Sequence, residues 1–225
     1  MQYDLRSRQV INILGLAKNS VANGWKRKLS AILPYRPMEG NKEVLETEYT
    51  GGMWDYLRGI NELPRFSVVV GYCRHFKPAG KILEIGCGEG VLQERLCPSK
   101  YARYVGVDIA AEAIRRASNK QDEKTFFVRE DAKIYNPAEQ FDVIIFNECL
   151  EYFDDPLGLV QRYERFLEKD GVYLVSMFVG IDTARTKRIW KMLESAYRAE
   201  AETRVATQAG FSWMIKVFIP SRCKS

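Results

Sequence analysis

The chain has a single histidine, His75, among 225 residues. Any site needing several imidazoles as metal ligands is excluded at once. Its five cysteines, Cys73, Cys87, Cys97, Cys149 and Cys223, contain no C-x-x-C pair. The odd number and scattered spacing argue against a disulfide framework and against a structural zinc site. No apolar run approaches the ~20 residues of a membrane-spanning helix. The opening Met1-Gln-Tyr-Asp-Leu-Arg-Ser-Arg8 lacks a secretory h-region, so no signal peptide is expected. These absences together point to a cytoplasmic, reducing compartment. Internal repeats and low-complexity tracts are also missing, which excludes solenoids and disordered arrays.

What is present is ordinary globular usage, 46% hydrophobic and 28% charged, with a net charge of +5. A chain this long can bury roughly 70% of its unfolded surface without covalent staples. The charge is localised. Residues 1–36 hold seven basic residues against Asp4 alone, a balance of +6, which leaves the rest of the chain at −1. The excess therefore says little about what the main body binds.

Three zones are expected. A basic N-terminal arm spans 1–40, with an apolar stripe from Val10 to Ile32 at helical spacing. Three readings of it stay open: contact with an anionic membrane surface, contact with a protein partner or cap over the substrate site, or simple packing as an extra helix. A helical lid or substrate segment follows at 41–79, interrupted at Gly51-Gly52 and carrying Tyr49, Met53, Trp54 and Tyr56. From 80 to 225, strands at 81–85, 104–108, 125–128, 141–146 and 171–178 alternate with helices at 90–96, 110–119 and 156–167. A helix over 183–200 precedes a closing hairpin of 202–207 and 213–219. Strand–helix alternation predicts an α/β fold with a mostly parallel sheet covered on both faces.

The informative motif is Glu84-Ile-Gly86-Cys87-Gly88-Glu-Gly90, between the first strand and its helix. Glycines there let backbone approach a ligand closely. The dinucleotide pattern would need a third glycine where Val91 stands. Asp108 ends the second strand, placed to accept both hydroxyls of a ribose.

This pattern resembles the class I S-adenosylmethionine (SAM)-dependent methyltransferases, over about 80–220. The resemblance implies a Rossmann-like seven-stranded sheet with an antiparallel last strand, and SAM as cofactor. It implies that Gly86, Cys87 and Gly88 cradle the methionine part, that Glu84 orients the loop or the amino group, and that Asp108 takes the ribose. Ile109 lies beside Asp108. Asp131, with Ala132, would sit at the adenine, and Asn147 under the sulfonium. Tyr49 and Trp54 would close over the cofactor. The pattern looks most like small-molecule O- and N-methyltransferases, including those acting on oligosaccharides.

Methyl transfer to a hydroxyl needs a base, whereas an amine needs only to be neutral. The candidates after the fourth strand are Glu148, Glu151 and Tyr152, with His75 a weaker one. Glu148 and Glu151, three apart, would share a face on a helical turn. No metal is expected. The Glu-x-x-Glu spacing resembles RNA 2′-O-methyltransferases, but Tyr152 stands where their first histidine would be. The Asn-Pro-Pro-aromatic loop of nucleic-base enzymes and a Pro-Cys nucleophile are also missing. The expected function is methylation of a hydroxyl or amine on a sugar, oligosaccharide or specialised metabolite. The alternatives are RNA 2′-O-methylation and a non-catalytic SAM-binding protein. Nucleic acid is disfavoured as a partner, because aromatic and basic interleaving does not extend into the core. The oligomeric state is left open. With no long insertion after the fifth strand, the acceptor pocket must be built largely from the N-terminal zones.

Overall fold

A computed structural model describes Tyr35 and residues 37–38, 41–97, 100–179 and 183–220. The apolar stripe of the basic arm and Cys223 lie outside these residues. Seven strands form one sheet: β1 (Ala79–Ile85), β2 (Tyr101–Asp108), β3 (Thr125–Arg129), β4 (Phe141–Asn147), β5 (Leu167–Phe178), β6 (Tyr197–Ala206) and β7 (Ser212–Pro220). Their order is β3-β2-β1-β4-β5-β7-β6. β1 to β5 pair in parallel, and β7 runs antiparallel to both β5 and β6. The fold is thus the Rossmann-like α/β sheet with an antiparallel last strand.

Among the described residues six helices flank the sheet: α1 (Lys42–Thr50), α2 (Leu63–Phe76), α3 (Val91–Leu96), α4 (Ala111–Ala117), α5 (Pro156–Arg162) and α6 (Thr183–Ala196). The strand period of two divides the core into two faces. Ile82, Val143, Ile145, Val172 and Leu174 point to one, where Phe66, Val69, Val70 and Cys73 of α2 meet α3 and α4. Leu83, Ile85, Ile144, Phe146 and Val175 point to the other, against Leu159 and Val160 of α5 and Ile189, Trp190 and Leu193 of α6. Because both faces are buried, each central strand reads as a continuous apolar run.

Local signals set the ends. The Asn41 side chain accepts the Val44 N–H at 2.9 Å and caps α1. Asp155 accepts the Gly158 N–H at 2.9 Å, with Pro156 opening α5. Gly52 has φ +70 and turns the chain out of α1 into a 3₁₀ turn at Asp55–Arg58. One correction concerns α6, which ends at Ala196 and not near 200. The chain there enters β6, nine of whose residues pair with β7, so sheet pairing overrides the helical propensity of Ala199 and Glu200. Among the described residues no helix is long and apolar enough to cross a membrane.

Candidate active site

The order of the parallel strands reverses between β1 and β4, and in open α/β sheets ligands bind at the strand C-termini beside such a point. A cavity of about 300 Å³ lies there. The sheet order lays its lining out in sequence. Glu130, Asp131 and Ala132 follow β3 at one end; Asp108 ends β2 and Ile109 follows it. Gly86, Cys87 and Gly88 follow β1; Asn147 ends β4 at the other end, and Glu148 and Cys149 follow it.

The glycine loop fits backbone against its neighbours with no room for side chains. Gly86 has φ +72 and Gly88 φ +53; a Cβ on Gly86 would stand 2.7 Å from Cys149 Cβ, and one on Gly88 2.6 Å from Tyr49 Oη. Asp108 locks the loop: its Oδ2 accepts the Gly88 N–H and its Oδ1 the Ala110 N–H, both at 2.9 Å. Burial still raises its carboxyl above the usual range, against those backbone donors. Asp131 Oδ1 accepts the Lys133 N–H at 2.8 Å in a local turn. Cys87 and Cys149 are buried, and burial pushes both thiols well up. Such thiols are packing groups, not nucleophiles.

Beneath the loop lies a buried polar chain. Tyr104 Oη donates to Glu84 Oε2, and Asn147 Nδ2 donates to Glu84 Oε1 at 3.2 Å. Arg65 Nη1 donates to Asn147 Oδ1 at 2.7 Å, and Arg65 Nε pairs with Glu62 at 2.7 Å. Burial raises the Glu84 carboxyl from 4.5 to about 7, even though Tyr104, Asn147 and the Arg65 charge all favour its ionised form. Sequence reasoning missed Arg65, which lines the cavity at 2% exposure. The signal available was a Glu-x-x-Arg pair one turn apart at the start of an apolar helix.

Residues N-terminal to β1 form a cover along one wall of the cavity. Leu45, Tyr49, Trp54, Tyr56, Leu57 and Phe66 all line it. Tyr49 and Trp54 stack at 5.7 Å, and Trp54 and Tyr56 stand 6.1 Å apart. The Glu46 carboxylate accepts the Ala111 and Glu112 N–H groups at 2.7 and 3.1 Å, holding α1 on the N-terminus of α4. Glu89, between two loop glycines, pairs with Arg58 at 2.5 Å and Arg116 at 2.6 Å. Burial opposes its ionisation, but the two guanidiniums outweigh it and hold the carboxyl below the usual range.

All eleven cofactor positions read from the sequence line this one cavity, as do Glu148 and Tyr152. Glu151 and His75 are not brought there. Thr186 Oγ1 donates to Glu151 Oε1 at 2.9 Å, and His75 is exposed near the end of α2 with its ring edge against Phe76. The shared helical face expected for Glu148 and Glu151 does not form. Glu148 sits at φ +60 directly after β4, before the 3₁₀ turn that begins at Leu150. Its N–H donates to Ser176 O at 2.9 Å, and Ser176 Oγ donates to its Oε1 at 2.8 Å. A left-handed glutamate costs about 1–3 kcal/mol and persists only where surroundings fix it, as at functional sites.

A methyltransferase-domain family model matches residues 22–212. A ubiquinone biosynthesis O-methyltransferase of Haemophilus ducreyi is 31% identical over 105 residues, covering 43% of this chain and 44% of that protein. A malonyl-[acyl-carrier protein] O-methyltransferase of Ilyobacter polytropus is 32% identical over 107 residues, covering 45% and 40%. The chain thus spans less than half the length of these relatives. Among solved structures, the N-methyltransferase NodS of Bradyrhizobium japonicum with S-adenosylhomocysteine has a TM-score of 0.70 at 21% identity, covering 80% of this chain and 98% of that one. The 1,6-didemethyltoxoflavin-N1-methyltransferase of Burkholderia thailandensis has a TM-score of 0.66 at 16% identity, covering 83% and 94%. These two likenesses concern the fold. With 191 of its 225 residues inside the family match and the glycine loop, Asp108 and the strand order in place, the chain belongs to the class I methyltransferase-domain family.

Proposed function

We propose that this protein is an S-adenosylmethionine-dependent methyltransferase acting on a hydroxyl or amine of a small molecule. The observation that supports the reading is the cavity itself, along which Asp131, Asp108, the Gly86–Gly88 loop and Glu148 follow one another at the C-terminal edge of the sheet. The residues suit the group. A Cβ at Gly86 or Gly88 would fill the cradle. Asp108 retains lone pairs for two ribose hydroxyls. An amino-acid end needs an acceptor for its amino group and a donor for its carboxylate, and Glu84 and Arg65 stand on the same buried chain.

When bound, the cofactor supplies a methyl group on a positively charged sulfur. The protein's part is alignment and exclusion of water. Tyr49, Trp54, Tyr56 and Leu57 cover the cleft, and Glu148 is the group placed to accept a proton from the acceptor. Ser176 holds the Glu148 carboxylate from the neighbouring strand. Tyr152 lines the same end, and burial raises its hydroxyl far above the usual range. It acts there as a hydrogen-bond donor and not as a base.

The test is calorimetric titration of S-adenosylhomocysteine into the full chain and into Asp108→Ala. Binding by the wild type and a loss of at least tenfold in the variant are expected. No binding by the wild type overturns the reading.

A further inference from the structure

We propose that this protein docks on an anionic lipid bilayer through the edge of the sheet at which the cavity lies, with the basic N-terminal arm as the electrostatic half of the contact. The proposal goes beyond the methyltransferase reading and does not depend on it.

Single exposed apolar side chains are ordinary on a protein surface, so only their distribution is informative. Among the described residues the exposed large hydrophobic side chains are Met38, Val44, Ile60, Leu63 and Ile134, with Ile60 72% and Ile134 62% exposed. All of them stand in segments at the C-terminal edge of the parallel strands. The Met38 N–H donates to Glu151 O at 2.7 Å, just after β4. Val44 is on α1, whose Glu46 accepts the Ala111 N–H at the start of α4. Ile60 precedes α2 and Leu63 opens it, one turn from the bond that ties Arg65 to the end of β4. The Ile134 N–H donates to Asp131 O at 3.0 Å, in the turn after β3. Among the described residues the opposite edge of the sheet carries none of this set.

The arm joins the fold at the same edge. Residues 1–34 lie outside the described residues, and the chain enters the described part at Tyr35, whose Oη donates to Glu151 O at 3.3 Å. Residues 9–25 carry the apolar stripe with one charge, Lys18, and stand between Arg6 and Arg8 on one side and Lys26-Arg27-Lys28 on the other. An amphipathic stretch with basic flanks gains from the acyl boundary and from anionic headgroups together. The core does not call for the stripe, because α2 to α4 and α5 to α6 already cover the two faces of the sheet. An acidic protein partner would match the charge of the arm and leave the apolar edge unused.

The experiment is co-sedimentation of the full chain with vesicles of phosphatidylcholine, alone or with about one-third phosphatidylglycerol. Binding to the anionic vesicles is expected to be at least tenfold tighter, and to fall in 0.5 M salt. A basic side chain near an anionic surface contributes about fivefold, so Lys26→Glu/Arg27→Glu/Lys28→Glu should weaken binding at least tenfold. Independently, Ile60→Asp/Ile134→Asp should weaken it at least threefold with an unchanged Tm. Orientation is read from a fluorophore on Asp154→Cys, beside the 3₁₀ turn after β4, or on Arg198→Cys, both in a Cys97→Ser/Cys223→Ser background. β5 and β6 both run antiparallel to β7, so Arg198 at the start of β6 marks the opposite edge. Brominated lipid should quench the first label and spare the second. Equal affinity for the two vesicles, no effect of either set of substitutions, or stronger quenching at position 198 overturns the proposal. So does the absence of sedimentation: with a lowered Tm in the triple variant it assigns the arm to packing on its own chain, and with an unchanged Tm to a protein partner.

Discussion

Arg65 Nη1 donates a 2.7 Å hydrogen bond to Asn147 Oδ1 across 82 residues of sequence. It joins the first turn of α2 to the end of β4, directly under the cavity. Through the Asn147 amide the same contact reaches Glu84, and through Arg65 Nε it reaches Glu62. A helix that begins outside the strand–helix core thus sets the orientation of a side chain that lines the cavity.

Arg65→Ala is expected to destabilise the protein by about 3–5 kcal/mol, because the buried ion pair of Arg65 with Glu62, at 2% exposure, would be broken. Thermal unfolding checks this. The double variant Glu62→Leu/Arg65→Leu should recover part of the loss, since both members of the buried ion pair are then replaced by apolar groups. A double variant less stable than Arg65→Ala would remove the explanation.

Glu84 makes stability fall as pH rises. Its carboxyl is raised from 4.5 to about 7 in the folded state, so between those values the folded protein holds a proton the unfolded chain has released. Below 4.5 both states are protonated and there is no effect; above 7 the cost is full, on the order of 3 kcal/mol. Glu84→Gln should therefore flatten the fall of Tm between pH 5 and pH 8 relative to the wild type. Identical slopes would show that Glu84 is ionised throughout.

Gly88→Ala places a Cβ 2.6 Å from Tyr49 Oη at φ +53. Affinity for S-adenosylhomocysteine should fall at least tenfold. Adding Tyr49→Phe removes the clashing atom but not the backbone strain, so it should restore only part of the affinity. Full restoration would assign the whole effect to the clash.

Glu89→Gln breaks the pairs with Arg58 and Arg116 that hold the 3₁₀ turn and α4 to the glycine loop. Amide exchange in residues 50–60 should rise several-fold, and the wild type should show a smaller rise in 0.5 M salt, because the Arg58 half of the latch is 42% exposed. Unchanged exchange in the variant would mean that packing of Tyr49 and Trp54 alone keeps the cover closed.

If Glu148 is the base, Glu148→Gln should lower kcat at least a hundredfold with little change in cofactor affinity. His75→Ala should leave both within a factor of two, since His75 lies exposed near the end of α2. Comparable losses in the two variants would contradict the geometry.

The sequence by itself determined the sheet, the glycine loop after β1 and the carboxylate that ends β2. Short continuous apolar runs such as Val143–Phe146, rich in β-branched residues, read as strands buried on both faces, and Gly86, Gly88 and Asp108 stand out because their chemistry is local. A glycine loop and the carboxylate that fixes it are written within one strand–helix–strand unit. The tertiary structure alone decided which charged groups meet there. Arg65 joins the site because α2 packs its apolar side on the sheet and so turns its first residues toward β4. Glu151 leaves it because a left-handed residue at Glu148 and a 3₁₀ turn put two carboxylates three apart on different sides. Spacing predicts a shared face only inside a regular helix, and the chain there is not one. The physical reason is range: backbone freedom is a property of one residue, whereas burial and pairing of charge depend on elements brought together from far along the chain.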